Sequence, residues 1–246
     1  MPVRLYERVA TDVAARIAAG AYAIGDRLPS ERDLALTHAV SRPTIREALI
    51  ALEVDGLVEV RQGSGVYVVA VAPRGGTRGA TDVGPFELLE ARRAIEAEIC
   101  AVAAARITDP DIADLEALLS EMRDENGRDI VKAEDADRRF HLAIAVATQN
   151  GVLVDTMQAL WDARARSPQT RLLASKAQDA GVAPREDEHR AIIEALRSRD
   201  PQAARAAMRR HLTRVLESLI ALTEVHEVEA ARARVAAERQ RYAVGH

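Results

Sequence analysis

The 246-residue chain holds one cysteine, Cys100, along with two phenylalanines, four tyrosines and one tryptophan. A single thiol excludes an intrachain disulfide framework, and Cys100 lies in the apolar stretch from Ile99 to Ala104, so it reads as a buried structural thiol. No apolar run is long enough to span a bilayer and no signal-peptide pattern is seen, so a cytoplasmic protein without a membrane partner is expected. Aromatics are only 3% of the chain, which leaves Ala, Leu, Val and Ile to fill the interior, a mixture that favours helices. Excess positive charge is also missing. Lys and Arg number 34 against 38 Asp and Glu, for a formal net charge of −4, so there is no global attraction to a polyanion. The length allows two ordinary domains or one large one, and either buries a core.

What is present is concentrated first between Pro29 and Val69. Ser30 followed by Asp33 is a variant capping box, and Leu34, Ala35 and Ala39 give an apolar face to a helix near 31–38. Ser41 caps a second helix, with Pro43 in its first turn, where a missing donor costs nothing. Ile45, Ala48, Leu49 and Leu52 recur at helical spacing, and Gly56 supplies the left-handed stop. Leu57, Glu59 and Arg61 then alternate with Val58 and Val60, and past the turn Gln62-Gly63-Ser64-Gly65 come Val66 and Val68, which predicts a hairpin. Upstream, Leu5, Val9, Val13 and Ile17 form one stripe of a preceding helix that ends at Gly20. Tyr22 to Leu28 links it to Pro29.

Helix, turn, helix and β-ribbon in this order predict a winged helix-turn-helix over residues 1–72, with its second helix as the major-groove reader. Arg42, Thr44 and Arg46 fall on the N-terminal, solvent side of that helix, and arginine is the usual bidentate partner of guanine. Arg32 is placed to reach a phosphate or a base edge, and Gly63 and Gly65 let the wing approach the minor groove. Acidic and basic side chains nearly cancel within residues 1–72. One copy should therefore bind double-stranded DNA weakly, and two copies on a palindrome are expected.

Residues 73–84 are rich in Gly and Pro without a period and read as a linker. From Pro85 nearly every window is helical and none has a β pattern. A mainly α protein follows, its C-terminal part an antiparallel all-helical bundle of about six or seven helices over 85–225, with a charged tail at 226–246. Asp137 and His141 are four residues apart, one turn up the same helix face, and His189 and His211 lie on two later helices. Three imidazoles and a carboxylate suit a divalent metal ion such as zinc, with nickel or manganese as substitutes, although spacing alone does not bring them together. Arg92 falls within an apolar stripe and there either pairs with Glu90 or Glu96 or meets a bound anion.

The segments Leu28 to Leu34, Ser41 to Leu49, Leu52-Glu53, Gly56-Leu57-Val58 and Gly63-Ser64-Gly65 resemble the N-terminal domain of the GntR superfamily of bacterial transcriptional regulators. That resemblance implies DNA contacts by Arg32, Arg42, Thr44 and Arg46, with the wing around Gln62 and Gly63 in the minor groove. Glu90-Ala91-Arg92 with Glu96, Asp137 to His141, Glu188 to Ile192 and Met208 to Leu212 resemble the FCD ligand-binding domain of the FadR subgroup. In its metal-binding members the positions of Asp137, His141, His189 and His211 hold the ion, and Arg92 is implied to contact an effector carboxylate. Gly84 to Arg92, Ala147 to Asn150, and Trp161 with Arg164 are similar to the hexuronate-utilisation repressors of that subgroup, which implies a sugar-acid effector addressed by Arg92, Asn150, Trp161 and Arg164. The expected molecule is a homodimeric repressor released from its operator by that effector. The alternatives are a metal-dependent enzyme, or a regulator with a purely structural metal and another carboxylate effector.

Overall fold

The computed structural model describes residues 4–61, 64–73, 83–126, 128–179 and 186–221. The chain forms two compact units, one carrying the N-terminal residues as far as Gly84 and the other running Pro85–Ser218. Most of the linker expected at 73–84 and all of the tail expected at 226–246 lie outside the described residues.

The first unit contains α1 (Leu5–Ala18), α2 (Glu31–His38), α3 (Arg42–Val54), β1 (Val58–Arg61) and β2 (Gly65–Val68). Val9, Val13 and Ile17 of α1, Leu34 of α2, Ile45, Leu49 and Leu52 of α3, and Val58 and Val68 of the ribbon close one apolar core. Each such side chain contributes roughly 1.5–3 kcal/mol on burial. Leu5 departs from the expected stripe: it is exposed, and Tyr6 is the buried residue of that turn. Ser30 and Ser41 cap α2 and α3 as their positions predict, each Oγ accepting from the backbone N–H three residues on, Asp33 and Thr44, at 3.3 Å.

Both helices end in the same reversal. Gly56, at φ 70°, lets Leu57 N–H reach the Leu52 carbonyl. Ala39 takes the corresponding left-handed place at φ 53°, and Val40 N–H reaches Ala35. Ala39 is therefore the exposed pivot between α2 and α3, not part of the apolar face.

The ribbon is antiparallel, pairing Val58 with Val68 and Arg61 with Gly65. The link before Pro29 is also drawn onto it. Leu28 N–H donates to Val66, Val68 N–H donates to Asp26, and Arg27 bridges Tyr67.

The second unit is built of helices among its described residues: α4 (Pro85–Ala104), α5 (Asp109–Glu125), α6 (Ile130–Ala147), α7 (Gly151–Arg166), α8 (Pro168–Asp179), α9 (Glu186–Arg197) and the part of α10 (201–221) that runs to Ser218. Short polar side chains set the starts. Thr108 forms a capping box with Asp111. Asp129 caps α6, Asn150 caps α7, and Asp200 accepts from the first turn of α10. α6 packs against α4, α5 and α7, so residues on its inward face sit in the middle of the bundle.

Replacing Ser41 by Ala should destabilise the protein by about 1 kcal/mol, and by Gly only a few tenths. Urea denaturation followed by far-ultraviolet circular dichroism reads this out, and equal effects of the two substitutions would show that the cap is idle.

Candidate metal centre and nucleic-acid interface

α6 carries Asp137 and His141 one turn apart, α9 brings His189, and α10 brings His211. One donor atom from each of these four residues lies within 4.8 Å of every other, and the three histidines are buried. Four atoms bound tetrahedrally to one zinc ion at about 2.0–2.2 Å stand roughly 3.3–3.6 Å apart, so side-chain shifts on the order of 1 Å would close the set on an ion. His189 Nε2 is 2.9 Å from Asp137 Oδ1, and His141 Nε2 is 3.6 Å from the same oxygen. Neither nitrogen of buried His141 has a well-aligned hydrogen-bond partner among the described residues. A dry imidazole left in that state is costly unless a cation accepts its lone pair. The donor set fits a divalent transition metal.

Two carboxylates orient the rings from behind. His211 Nδ1 donates to Glu188 Oε2 at 3.0 Å. His141 Nδ1 lies 2.6 Å from Glu96 Oε2, close enough for a strong charge contact though bent away from the ideal hydrogen-bond line. Each carboxylate spends its other oxygen on an arginine: Arg92 Nε donates to Glu96 Oε1 at 2.6 Å, and Arg214 Nη1 to Glu188 Oε1 at 3.2 Å. Holding Nδ1 from outside leaves Nε2 as the inward donor. Sequence spacing shows the Arg92 and Glu96 pair at i,i+4, but nothing local links Glu96 to His141 or Glu188 to His211.

The field at the site is negative. Burial alone would raise Glu96, yet the charges of Arg92 and His141 overcome it and hold the carboxyl down at about 2. Asp137 is held well below its ordinary value against the same burial, by hydrogen bonds and charge from His141 and His189. His141 is raised, because Glu96 and Asp137 outweigh its burial. His211 goes the other way and is pushed down to about 4, chiefly by burial, with Glu188 opposing and the neighbouring His189 and His141 reinforcing. Cys100 is raised to about 12 by burial and by Glu96, so its thiol is inert.

Beside this cluster the Trp161 ring tilts against His141 at 5.2 Å between centroids. The Arg92 guanidinium lies 4.1 Å over the same indole and that of Arg164 5.3 Å. Trp161 Nε1 is buried without a hydrogen-bond partner among the described residues. Arg164 is also tied to α6, where Glu134 Oε1 accepts from Nη2 at 3.0 Å. Asn150 is not brought here. It is the exposed cap of α7, its Oδ1 accepting from Val152 N–H. Eleven residues of helix, about 16 Å, separate it from Trp161.

In the first unit, Arg32 is exposed beside Asp33 at the start of α2. Arg42 is half-exposed, with Nη2 3.7 Å from Glu31 Oε2. Thr44 Oγ1 lies 2.8 Å from the Ser41 hydroxyl. Arg46 corrects an expectation: it is 2% exposed, and its Nε donates to Glu31 Oε2 at 2.8 Å. The Glu31 carboxylate draws it off the solvent side that helix periodicity assigns it. Gln62 and Gly63, the expected minor-groove contacts, lie outside the described residues.

Comparison with known proteins matches both units. Residues 5–68 match the bacterial regulatory proteins of the gntR family, and residues 87–214 match the FCD domain. The chain is 40% identical over 216 residues to the Exu regulon transcriptional regulator of Escherichia coli strain K12, an alignment covering 86% of this chain and 83% of that protein. It is 37% identical over 234 residues to the Uxu operon regulator of Haemophilus influenzae, covering 91% and 85%. A GntR family transcriptional regulator from Pseudomonas syringae pv. tomato, of solved structure, aligns with a TM-score of 0.51 at 19% identity, over 91% of this chain and 88% of that one, a likeness of fold alone.

The histidine cluster gives the metal-free protein a defined acid sensitivity. With its folded pKa at about 4, His211 is neutral in the folded chain and protonated in the unfolded one between roughly pH 6.5 and 4. The unfolded state binds the extra proton, so acidification through this window costs roughly 3 kcal/mol. His141, raised, contributes a stabilisation already complete below about pH 6.5, lost only as pH rises through its folded value. Glu96 and Asp137, lowered, lose theirs only below the window, from about pH 4 downward. Urea denaturation of chelator-treated protein at about pH 6.5 and 4.5 should show this loss in the wild type and a smaller one in His211→Gln. Equal slopes in the two proteins would rule out His211 as the cause.

Proposed function

The chain belongs to the gntR family of bacterial regulatory proteins with an FCD domain, and from that premise we propose that it is a homodimeric repressor released from a palindromic operator by a sugar acid bound at a divalent-metal site. That it is a DNA-binding transcriptional regulator follows from the family. The effector and the metal are the proposal, and the observation that carries it is the convergence of Asp137, His141, His189 and His211 from three helices.

The metal, zinc or in its place nickel or manganese, would be held by those four side chains and would supply a Lewis-acid anchor for a carboxylate and its neighbouring hydroxyl. The rest of the recognition belongs to the chain. Arg92 offers a guanidinium at the edge of the cluster, where a carboxylate is the natural partner. Trp161 lies buried against the cluster, its N–H without a partner among the described residues, so its indole would pack on the C–H face of a polyhydroxy ligand and donate to one of its oxygens. Arg164 adds positive charge over the same indole. A hexuronate, such as glucuronate, galacturonate or fructuronate, combines these features, and kinship with Exu regulon and Uxu operon regulators supports that class.

On the DNA side, Arg42 and Thr44 at the front of α3, with Arg32 on α2, would address base edges and phosphates. Two copies supply the phosphate contacts that one nearly neutral head lacks. Release requires that the sugar acid bind the DNA-incompetent arrangement more tightly, since equal affinity for both arrangements shifts nothing.

DNA selected from a random pool by the zinc-loaded protein should be retained in a gel shift, lost on Arg42→Ala, and released by one of the three hexuronates. Chelator treatment or His189→Ala should reduce the response to the sugar acid at least tenfold. Release that is indifferent to both treatments would remove the metal from the sensing mechanism.

A further inference from the structure

We propose that Glu96 is a positioning residue that couples the effector to the metal: it grips His141 with one carboxylate oxygen and Arg92 with the other, so an anion arriving on Arg92 is felt at the histidine. This inference rests on the proposed occupation of the site by a metal and a carboxylate.

Glu96 has no exposed surface, so water does not screen its two contacts. Both are 2.6 Å long. A guanidinium has five N–H donors in a planar fork, and Glu96 engages Arg92 through Nε. Nη1 and Nη2 have no hydrogen-bond partner among the described residues, although the side chain is almost wholly buried. The Trp161 ring covers the face of the fork and leaves its Nη edge, buried but unengaged, for an anion. An incoming carboxylate has a bidentate edge to occupy without displacing Glu96.

The direction of the coupling follows from charge. In the absence of an anion, Arg92 draws on the Glu96 carboxylate and weakens its hold on His141 Nδ1–H. An anion on the far edge of Arg92 offsets that pull, and Glu96 then polarises His141 more strongly, making Nε2 the better electron-pair donor. Sugar acid and metal should each tighten the other by the same factor. The other carboxylate supplies a control. Glu188 also bridges an arginine and a histidine, but Arg214 is half in solvent, where screening dissipates the effect.

Zinc affinity is measured by competition with a chromogenic chelator, without and with saturating galacturonate, glucuronate or fructuronate. In the wild type the sugar acid should tighten zinc at least tenfold. Glu96→Gln and Glu188→Gln should each weaken zinc about tenfold in its absence. Direct chelation of zinc by the sugar acid gives a tightening that both variants keep, so the Glu96 contribution is the part lost in one alone. The tightening factor should fall at least fivefold in Glu96→Gln and stay unchanged in Glu188→Gln. Arg92→Lys keeps the charge but lacks the fork, and guards against a folding defect in Glu96→Gln: its zinc affinity should stay within about threefold while the tightening falls. Equal tightening in all four proteins overturns the role of Glu96 and leaves the sensor reading intact. A wild type that binds neither zinc nor any of the three acids overturns that reading, and this proposal with it.

Discussion

Everything in the helical unit is arranged around polar groups that the bundle has taken out of water. His141, His189 and His211 are buried together with Glu96 and Glu188, and Asp137 is among them, in a core whose apolar side chains include Ile99, Ala145, Met157 and Trp161. An isolated buried charge costs several kcal/mol, a large share of the stability of an ordinary domain, so such a cluster persists only if its charges are matched. With neutral histidines, the three carboxylates Glu96, Asp137 and Glu188 face the two guanidiniums of Arg92 and Arg214, which leaves one negative charge over. The upward shift of His141, driven by Glu96 and Asp137 against its burial, shows the same demand: these carboxylates favour positive charge on the ring. A divalent ion would satisfy the same demand through the Nε2 lone pairs without protonating a ring.

Much of this could be read from residue order, because the signals involved were local. Ser30, Ser41 and Gly56 each act within one helical turn, and all three do what their positions predict. The four metal-ligand candidates were named from resemblance, since His189 and His211 reach Asp137 only through the packing of α9 and α10 onto α6. What escaped was non-local or depended on competition. Tyr6 replaces Leu5 because a strict four-residue repeat through Val9, Val13 and Ile17 drifts about 40° per step on a 3.6-residue helix, which carries Leu5 off the buried face. Asn150 looks equally suited to capping and to ligand recognition, and the N-terminus of α7 claims it. Glu96 and Glu188 orient their histidines from 45 and 23 residues away, a distance at which spacing carries no information.

Arg46 shows the same kind of competition in the first unit. Helix geometry gives it to solvent, whereas Glu31 on the preceding helix claims it at 2.8 Å and has Arg42 at 3.7 Å on the same carboxylate oxygen. Glu31 occupies these guanidiniums much as a phosphate or a guanine edge would. In the structure as it stands, Arg42 is the more available reader, and bringing Arg46 to a base edge would mean giving up a buried ion pair whose loss costs several kcal/mol unless DNA replaces it. Such an exchange favours partners that return the full set of hydrogen bonds. A well-matched operator offers those, and non-specific phosphate does not.

Both units thus keep their functional arginines on internal carboxylates: Arg42 and Arg46 on Glu31, Arg92 on Glu96. The internal acid lowers the cost of storing a guanidinium in a folded protein, and it also raises the threshold that an external anion must exceed. The two cases differ in what becomes of the acid. Arg42 and Arg46 both lean on Glu31, so a ligand that takes them removes two cations from that carboxylate and must bring enough contacts to offset the loss. Glu96 has His141 on its second oxygen, so an anion that engages Arg92 leaves the carboxylate with a productive contact. On this difference the proposed effector would need only a single small carboxylate to act on Arg92, whereas DNA would have to supply a fuller set of contacts to draw Arg42 and Arg46 from Glu31.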